Sequence, residues 1–244
     1  MQISVITLFP KMFESLSEFG ISGRAIRNNL ISLSTVNPRD FANDKNKTVD
    51  DRPYGGGPGM VMTFEPLKKA ITSTRQSQFD KNGIESKVLY MSPQGERLDQ
   101  NRILDLSRLD NLIILCGRYE GVDERLIESE VDYEVSIGDY IISGGELAAM
   151  VMIDGVIRLL PGAVGDEDSV RQDSFGERLL LDCPHYSRPE VINGESVPDV
   201  LLSGDHAKIK KWRFQQSLLR TKKRRPDLFQ QLELSQEELD LLKL

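Results

Sequence analysis

The sequence predicts an α/β domain followed by a smaller helical one. Short runs with strand character, apolar at 112–116 and alternating or half-apolar at 1–9, 31–36 and 133–142, with another at 87–91, alternate with stretches of helical spacing. Three of the runs stop in turn chemistry: Ser92-Pro93-Gln94-Gly95, then Gly117-Arg118-Tyr119-Glu120-Gly121, then Gly138 through Ser143-Gly144-Gly145. Beyond about residue 163 a proline-punctuated loop and helical stretches replace the strands.

Residues 1–9 read as a first strand, with Pro10 just beyond it and helical spacing over 12–19. Residues 31–36 read as a second strand, closed by Asn37-Pro38. Residues 41–51 are polar and predict a mobile loop. It runs into Arg52-Pro53-Tyr54-Gly55-Gly56-Gly57-Pro58-Gly59, whose glycines and prolines exclude regular structure. A solvated connector is the ordinary reading of that stretch. Its acids, arginine and tyrosine also suit a loop that wraps a ligand. It lacks GK[ST] and GxGxxG, so it is neither a P-loop nor a dinucleotide fingerprint.

A helix is predicted over 65–76, a short central strand over 87–91 and a helix over 98–109. The strand 112–116 follows. The run 133–142 is interrupted by Gly138-Asp139. Residues 145–160 are apolar almost all round, which predicts a helix buried on most faces, with Ala148 and Ala149 allowing close approach of a partner. Residues 161–172 are acidic and contain Gly162 and Gly165, and read as a flexible linker. Residues 181–189 read as a loop and 198–203 as an extended piece. Ser203 is the expected N-cap of a helix over 205–221, and a last helix is expected over 230–244.

Net charge is −7, with 39% hydrophobic and 28% charged residues, which fits a soluble globular protein and disfavours a generic polyanion binder. Yet His206 to Arg225 holds nine Lys or Arg and no acid, interleaved with Trp212 and Phe214. Such segregation reads as a phosphate-contacting surface, with Lys210, Lys211 and Arg213 at its centre. Trp212 is expected to pack in the small domain's core. The two cysteines give no disulfide framework and no metal motif, which suits a reducing, cytoplasmic compartment. The N-terminus has no signal-peptide pattern, and no run is long enough to span a membrane.

Glycine turns at strand ends admit a ligand to the backbone, and ligands of open α/β sheets sit there. On glycine content alone, ordinary strand–turn–helix junctions explain them better. The strings Cys116-Gly117-Arg118-Tyr119-Glu120-Gly121, Ser136-Ile137-Gly138-Asp139-Tyr140 and Ser143-Gly144-Gly145-Glu146-Leu147 go further. With the loop at 52–59 and Leu181-Asp182-Cys183-Pro184-His185-Tyr186, they closely resemble the bacterial tRNA (guanine-N1)-methyltransferases, over residues 1 to about 225.

The resemblance implies a parallel-sheet trefoil-knot (SPOUT) methyltransferase domain at 1–163, a flexible linker at 164–174 and a helical tRNA-binding domain at 175–244. It implies S-adenosylmethionine bound by Tyr90, Met91, Ser92, Pro93, Gly117, Tyr119, Ser136, Ile137, Gly138, Asp139, Tyr140, Ile141, Ile142, Gly144 and Gly145. Glu120, Tyr54 and Gly59 are then expected near the target guanosine, at position 37 of the tRNA. Methyl transfer to guanine N1 requires loss of the N1 proton and a group to meet the charge on the base. The resemblance gives these roles to Asp173 as base and Arg158 as its partner, from opposite subunits of a homodimer. It also implies Mg2+, with ligands unknown. Two departures stand out: Ala148 replaces a usual proline, and one extra residue lies between Phe175 and Asp182. A competing reading, a non-catalytic regulator with a basic nucleic-acid-binding tail, fits the composition. It does not require Asp173, Arg158 and three glycine turns together.

Overall fold

A computed structural model describes residues 1–165, 173–176 and 178–242. The chain divides into two compact units, Met1–Gly165 and Asp166–Leu244. Most of the expected linker at 164–174 lies outside the described residues.

The first unit is built on a five-stranded parallel sheet. Its strands are β1 (Gln2–Ile6), β2 (Ser32–Val36), β5 (Lys87–Arg97), β6 (Asn111–Cys116) and β7 (Tyr133–Ser136), in the order β2-β1-β6-β5-β7. Two short strands, β3 (Asp50–Asp51) and β4 (Val61–Met62), pair outside it. Strand β6 lies at the centre and is buried along its whole length, which is why Leu112–Cys116 reads as an unbroken apolar run. Its side chains divide by alternation. Leu112, Ile114 and Cys116 enter a core roofed by α1 (Glu14–Glu18), α2 (Gly20–Arg27), α4 (Gln100–Ser107) and α6 (Gly145–Arg158). Ile113 and Leu115 face α3 (Phe64–Asn82) and α5 (Glu124–Glu130) on the other side. Glu130, buried in that second layer, is held by Lys68 and Arg75 of α3.

The glycine-turn regions depart from expectation in two ways. Strand β5 does not end at Met91. It continues to Arg97, and Met91 and Glu96 both stand opposite Val135, so Ser92 to Gly95 form a bulge. Proline is tolerated in such a bulge, and Pro93 is exposed there. Gly95 is required because a Cβ would lie 2.3 Å from the Val135 nitrogen. Conversely, the run at 133–142 leaves the sheet at Ser136, where Gly138 takes φ 144°. Ile137, Ile141 and Ile142 are therefore loop residues. Helices α2 and α5 were not foreseen, and α3 extends beyond its expected 65–76 at both ends. In α6 most of one side is buried, but Leu147 and Val151 are 51% and 57% exposed.

The loop after β2 is anchored rather than merely polar. The Asp44 carboxylate accepts from Asn46 N, Thr48 N and the Thr48 hydroxyl, and Val49 is fully buried. The hydrogen bonds to Thr48 hold the Asp44 carboxyl below its ordinary pKa.

The second unit holds a hairpin of β8 (Val191–Ile192) and β9 (Glu195–Ser196), then α7 (Asp199–Leu202), α8 (His206–Arg224), α9 (Pro226–Phe229) and α10 (Gln236–Leu241). Asn193 and Gly194 turn the hairpin at φ 52° and 83°, the two positive values a tight hairpin turn demands. Residues 198–203, expected to be extended, are mostly helical, because Pro198 precedes the first turn and leaves Asp199 to open it. The cap of α8 is Asp205, whose carboxylate accepts from Lys208 N, and not Ser203, whose hydroxyl accepts from Asp205 N instead. The last helix is shorter than the expected 230–244: a capping box of Ser235 and Glu238 starts it late, and Pro226 begins a separate turn.

Candidate active site

The glycine turns that end β6 and precede α6 meet directly. Gly145 N donates to Gly117 O at 2.9 Å. A Cβ at Gly145 would lie 2.9 Å from Cys116 Cα, and one at Gly117 would lie 2.8 Å from the Tyr90 ring. Only hydrogen fits at either position.

A third loop closes on this pair. Glu120 N donates to Met60 O, Met62 N to Gly121 O and Asp123 N to Met62 O, at 2.9, 2.9 and 3.0 Å. These bonds dock the glycine-rich stretch 55–59 onto the turn 117–121. Gly59 sits so close to Glu120 that a Cβ there would lie 2.3 Å from Glu120 Oε1. Tyr119 takes φ 60°, an unfavourable conformation for a bulky residue and of the kind found at ligand sites.

The turns enclose a cavity of about 260 Å³. Of the fifteen residues expected to hold the donor, fourteen line it, from Tyr90 to Pro93 on β5 and its bulge through Gly117 and Tyr119 to Ser136 to Gly138, Tyr140 to Ile142, Gly144 and Gly145. Asp139 is not among its walls and is exposed. Glu120 lines the rim. Tyr54 is fully exposed, on the loop that Gly59 anchors. Ala148 also lines the cavity, on the first turn of an intact α6, so the absent proline does not disturb that helix.

Burial pushes the Tyr90 phenol up to about 12, with the charges of Glu134 and Glu124 adding to it. Tyr90 is thus a neutral hydroxyl. Burial, then the Glu146 charge, also raises the Cys116 thiol well above its ordinary value, so it is no thiolate nucleophile.

Sequence reasoning missed the group that braces these turns. Glu146 is completely buried. Its carboxylate accepts from Thr7 Oγ1 at 2.9 Å and from Arg118 Nε at 2.8 Å. Arg118 Nη1 donates to Ser143 O at 3.0 Å, and its guanidinium lies 4.4 Å from the Phe9 ring centre. One arginine therefore ties the turn after β6, the turn before α6 and the end of β1. The spacing Arg118–Glu146 carries no local periodic signal.

Arg158 closes α6 in the first unit and is half-buried. Asp173 is half-buried in the second unit, where its carbonyl accepts from Gly176 N at 3.1 Å. Lys210, Lys211 and Arg213 are exposed on α8, while Trp212 is half-buried with its ring centre 6.4 Å from that of Tyr186.

Among the described residues, one trio of possible metal donors comes together: Asp182, Cys183 and His185, with ligand atoms within 4.8 Å of one another. Sequence spacing did not single it out. His185 Nε2 lies 2.7 Å from Asp182 Oδ2. Burial would raise the Asp182 carboxyl, but hydrogen bonds from His185 and Cys183 N outweigh it and hold it below its ordinary value. A thiol and an imidazole are poor donors for Mg2+, which takes oxygen ligands in near-octahedral geometry. This trio does not fit the expected ion.

A family model described as tRNA (Guanine-1)-methyltransferase TrmD matches residues 1–231. The chain is 57% identical over 242 residues to a tRNA (guanine-N(1)-)-methyltransferase of Shewanella denitrificans, covering 99% of this chain and 96% of that one. It is 55% identical to the protein of that name from Shewanella frigidimarina, over 99% and 96% of the two chains. To that of Glaesserella parasuis it is 54% identical, over 99% and 94%.

Proposed function

The chain belongs to the tRNA (guanine-1)-methyltransferase family, and on that premise we propose that it methylates N1 of the guanosine at position 37 of tRNA, with S-adenosylmethionine as donor. The observation that carries the reading is the cavity: the turn after β6, the loop after β7 and the bulge of β5 close on one space, with Gly117 and Gly145 at positions where only glycine fits.

Bound there, S-adenosylmethionine supplies a methyl group activated by a positive sulfur. Tyr90, Ile137 and Ile142 give the pocket apolar walls, and the glycine turns bring backbone donors and acceptors to the adenosyl group. The Arg118–Glu146 brace keeps the turns from spreading. Glu120, on the rim beside Gly59, is assigned to the guanine. Asp173 takes the N1 proton, and Arg158 meets the negative charge that develops on the base.

We assign Arg158 and Asp173 of one site to different subunits of a homodimer. Leu147 and Val151, four residues apart on α6, support a second copy packing there, since apolar side chains at that spacing share one helix face. No helix among the described residues is long and apolar enough to cross a membrane; the proposed tRNA substrate supports a cytoplasmic setting. The test is transfer of tritium from methyl-labelled S-adenosylmethionine into bulk tRNA. Incorporation above a no-enzyme control is expected. Its absence under reducing, Mg2+-containing conditions would favour the non-catalytic regulator.

A further inference from the structure

The second unit carries a cavity that the proposed methyl transfer does not use. It measures about 900 Å³, and a neighbour of about 440 Å³ shares part of its wall, His185 to Ser187 with Pro189, Glu190 and Val197. Tyr186 lines both spaces and is 49% exposed. The larger cavity joins that ring to apolar Leu201 and Ile209 and to the cations Arg188 and Arg213. Arg213 lies on α8, beside the exposed Lys210 and Lys211.

We propose that this cavity receives an unpaired nucleotide of the tRNA, with its base stacked on Tyr186 and its phosphates on Arg213 and the neighbouring lysines. The inference rests on the tRNA reading given above and assigns a second point of contact, separate from the guanosine to be methylated. Three features favour a nucleotide over a peptide. The volume is that of a small-molecule pocket. The occupant meets cations on the helix side, where nine Lys or Arg and no acid run from His206 to Arg225. A half-exposed ring at the wall is the recurrent platform for unstacked bases of single-stranded RNA. The ring also packs against Trp212, tilted at 48° between ring planes.

Stacking and phosphate contact have different salt signatures, which makes the proposal testable in the full-length dimer. Affinity for unmodified tRNA is measured by filter binding from 50 to 300 mM KCl. Tyr186→Ala should weaken binding roughly 5- to 100-fold, the span of one lost base stack. The slope of log K against log salt should stay as in the wild type, because no counterion is released by a ring. Tyr186→Phe should bind within about threefold of wild type. Leu202→Glu, at an exposed position of the wall, should weaken binding without touching the ring. Unchanged S-adenosylmethionine affinity and an unchanged far-ultraviolet spectrum control for folding. Wild-type affinity in both Tyr186→Ala and Leu202→Glu would overturn the proposal, as would equal loss in Tyr186→Ala and Tyr186→Phe. A wild-type protein that binds no tRNA would instead bring down the functional reading itself, and this inference with it.

Discussion

Gly117 is fixed on two sides, by the Tyr90 ring against its Cα and by Gly145 N on its carbonyl. Its glycine character was legible in the sequence as ligand access. The structure adds that a side chain would first strike Tyr90, which lines the cavity proposed for the donor. Gly117→Val should therefore abolish S-adenosylmethionine binding, read by calorimetry, while the sheet beneath stays folded. Unchanged donor affinity would contradict this. Tyr90 gives a prediction of opposite kind. Its phenol titrates near 10 when the chain is unfolded and at about 12 in the fold, mainly through burial. Between those values the folded protein holds more protons than the unfolded one. The stability due to neutral Tyr90 is thus full below pH 10 and is lost as pH rises towards 12. Urea melts at pH 9 and pH 11 should show a smaller loss for Tyr90→Phe than for the wild type. Equal losses would mean the phenol is not buried.

At the scale of elements, β1 and β6 were legible because they are buried on both faces and so read as apolar runs, while β2, largely exposed at the sheet edge, was legible through its alternation. Helix α6 was legible for the related reason that few of its positions are polar. What was not legible has a physical cause in each instance. The bulge at Ser92 to Gly95 mimics a strand end, since proline and glycine punctuate both. Ile137, Ile141 and Ile142 look like strand residues because a cavity wall needs apolar side chains as much as a sheet does. Thr7, Arg118 and Glu146 come from three distant places in the chain, and nothing local marks their meeting. The hairpin at Asn193-Gly194 did carry its signal, and only the shortness of its strands hid it. The basic helix α8 gives this scale its prediction. Reversing the charges of Lys210, Lys211 and Arg213 should raise KM for tRNA and leave donor affinity alone. Loss of three phosphate contacts should flatten the salt slope by roughly two to three units. An unaltered slope would show that this face of α8 meets solvent rather than RNA.

At the scale of the whole molecule, the proposed chemistry is divided between two units. The cavity and Arg158 belong to one, and Asp173 and the basic helix to the other. A division of this kind makes subunit exchange informative. Asp173→Asn should retain tRNA and donor binding and slow the chemical step by roughly 10²- to 10⁴-fold, the range for a lost general base. Arg158→Ala should slow the same step. A heterodimer of the two holds one intact and one doubly altered site if Arg158 and Asp173 come from opposite subunits. Single-turnover rates should then rise well above either parent. Rates that stay at the parental level would exclude the shared site while leaving each residue's role intact.

All of these outcomes depend on the cavity serving methylation of a guanine ring nitrogen. The most direct measurement is digestion of tritium-labelled product tRNA to nucleosides, followed by chromatography against standards. Methylation at N1 requires the label to co-migrate with 1-methylguanosine. Label in a 2′-O-methylated nucleoside, or in any base other than guanine, would contradict it.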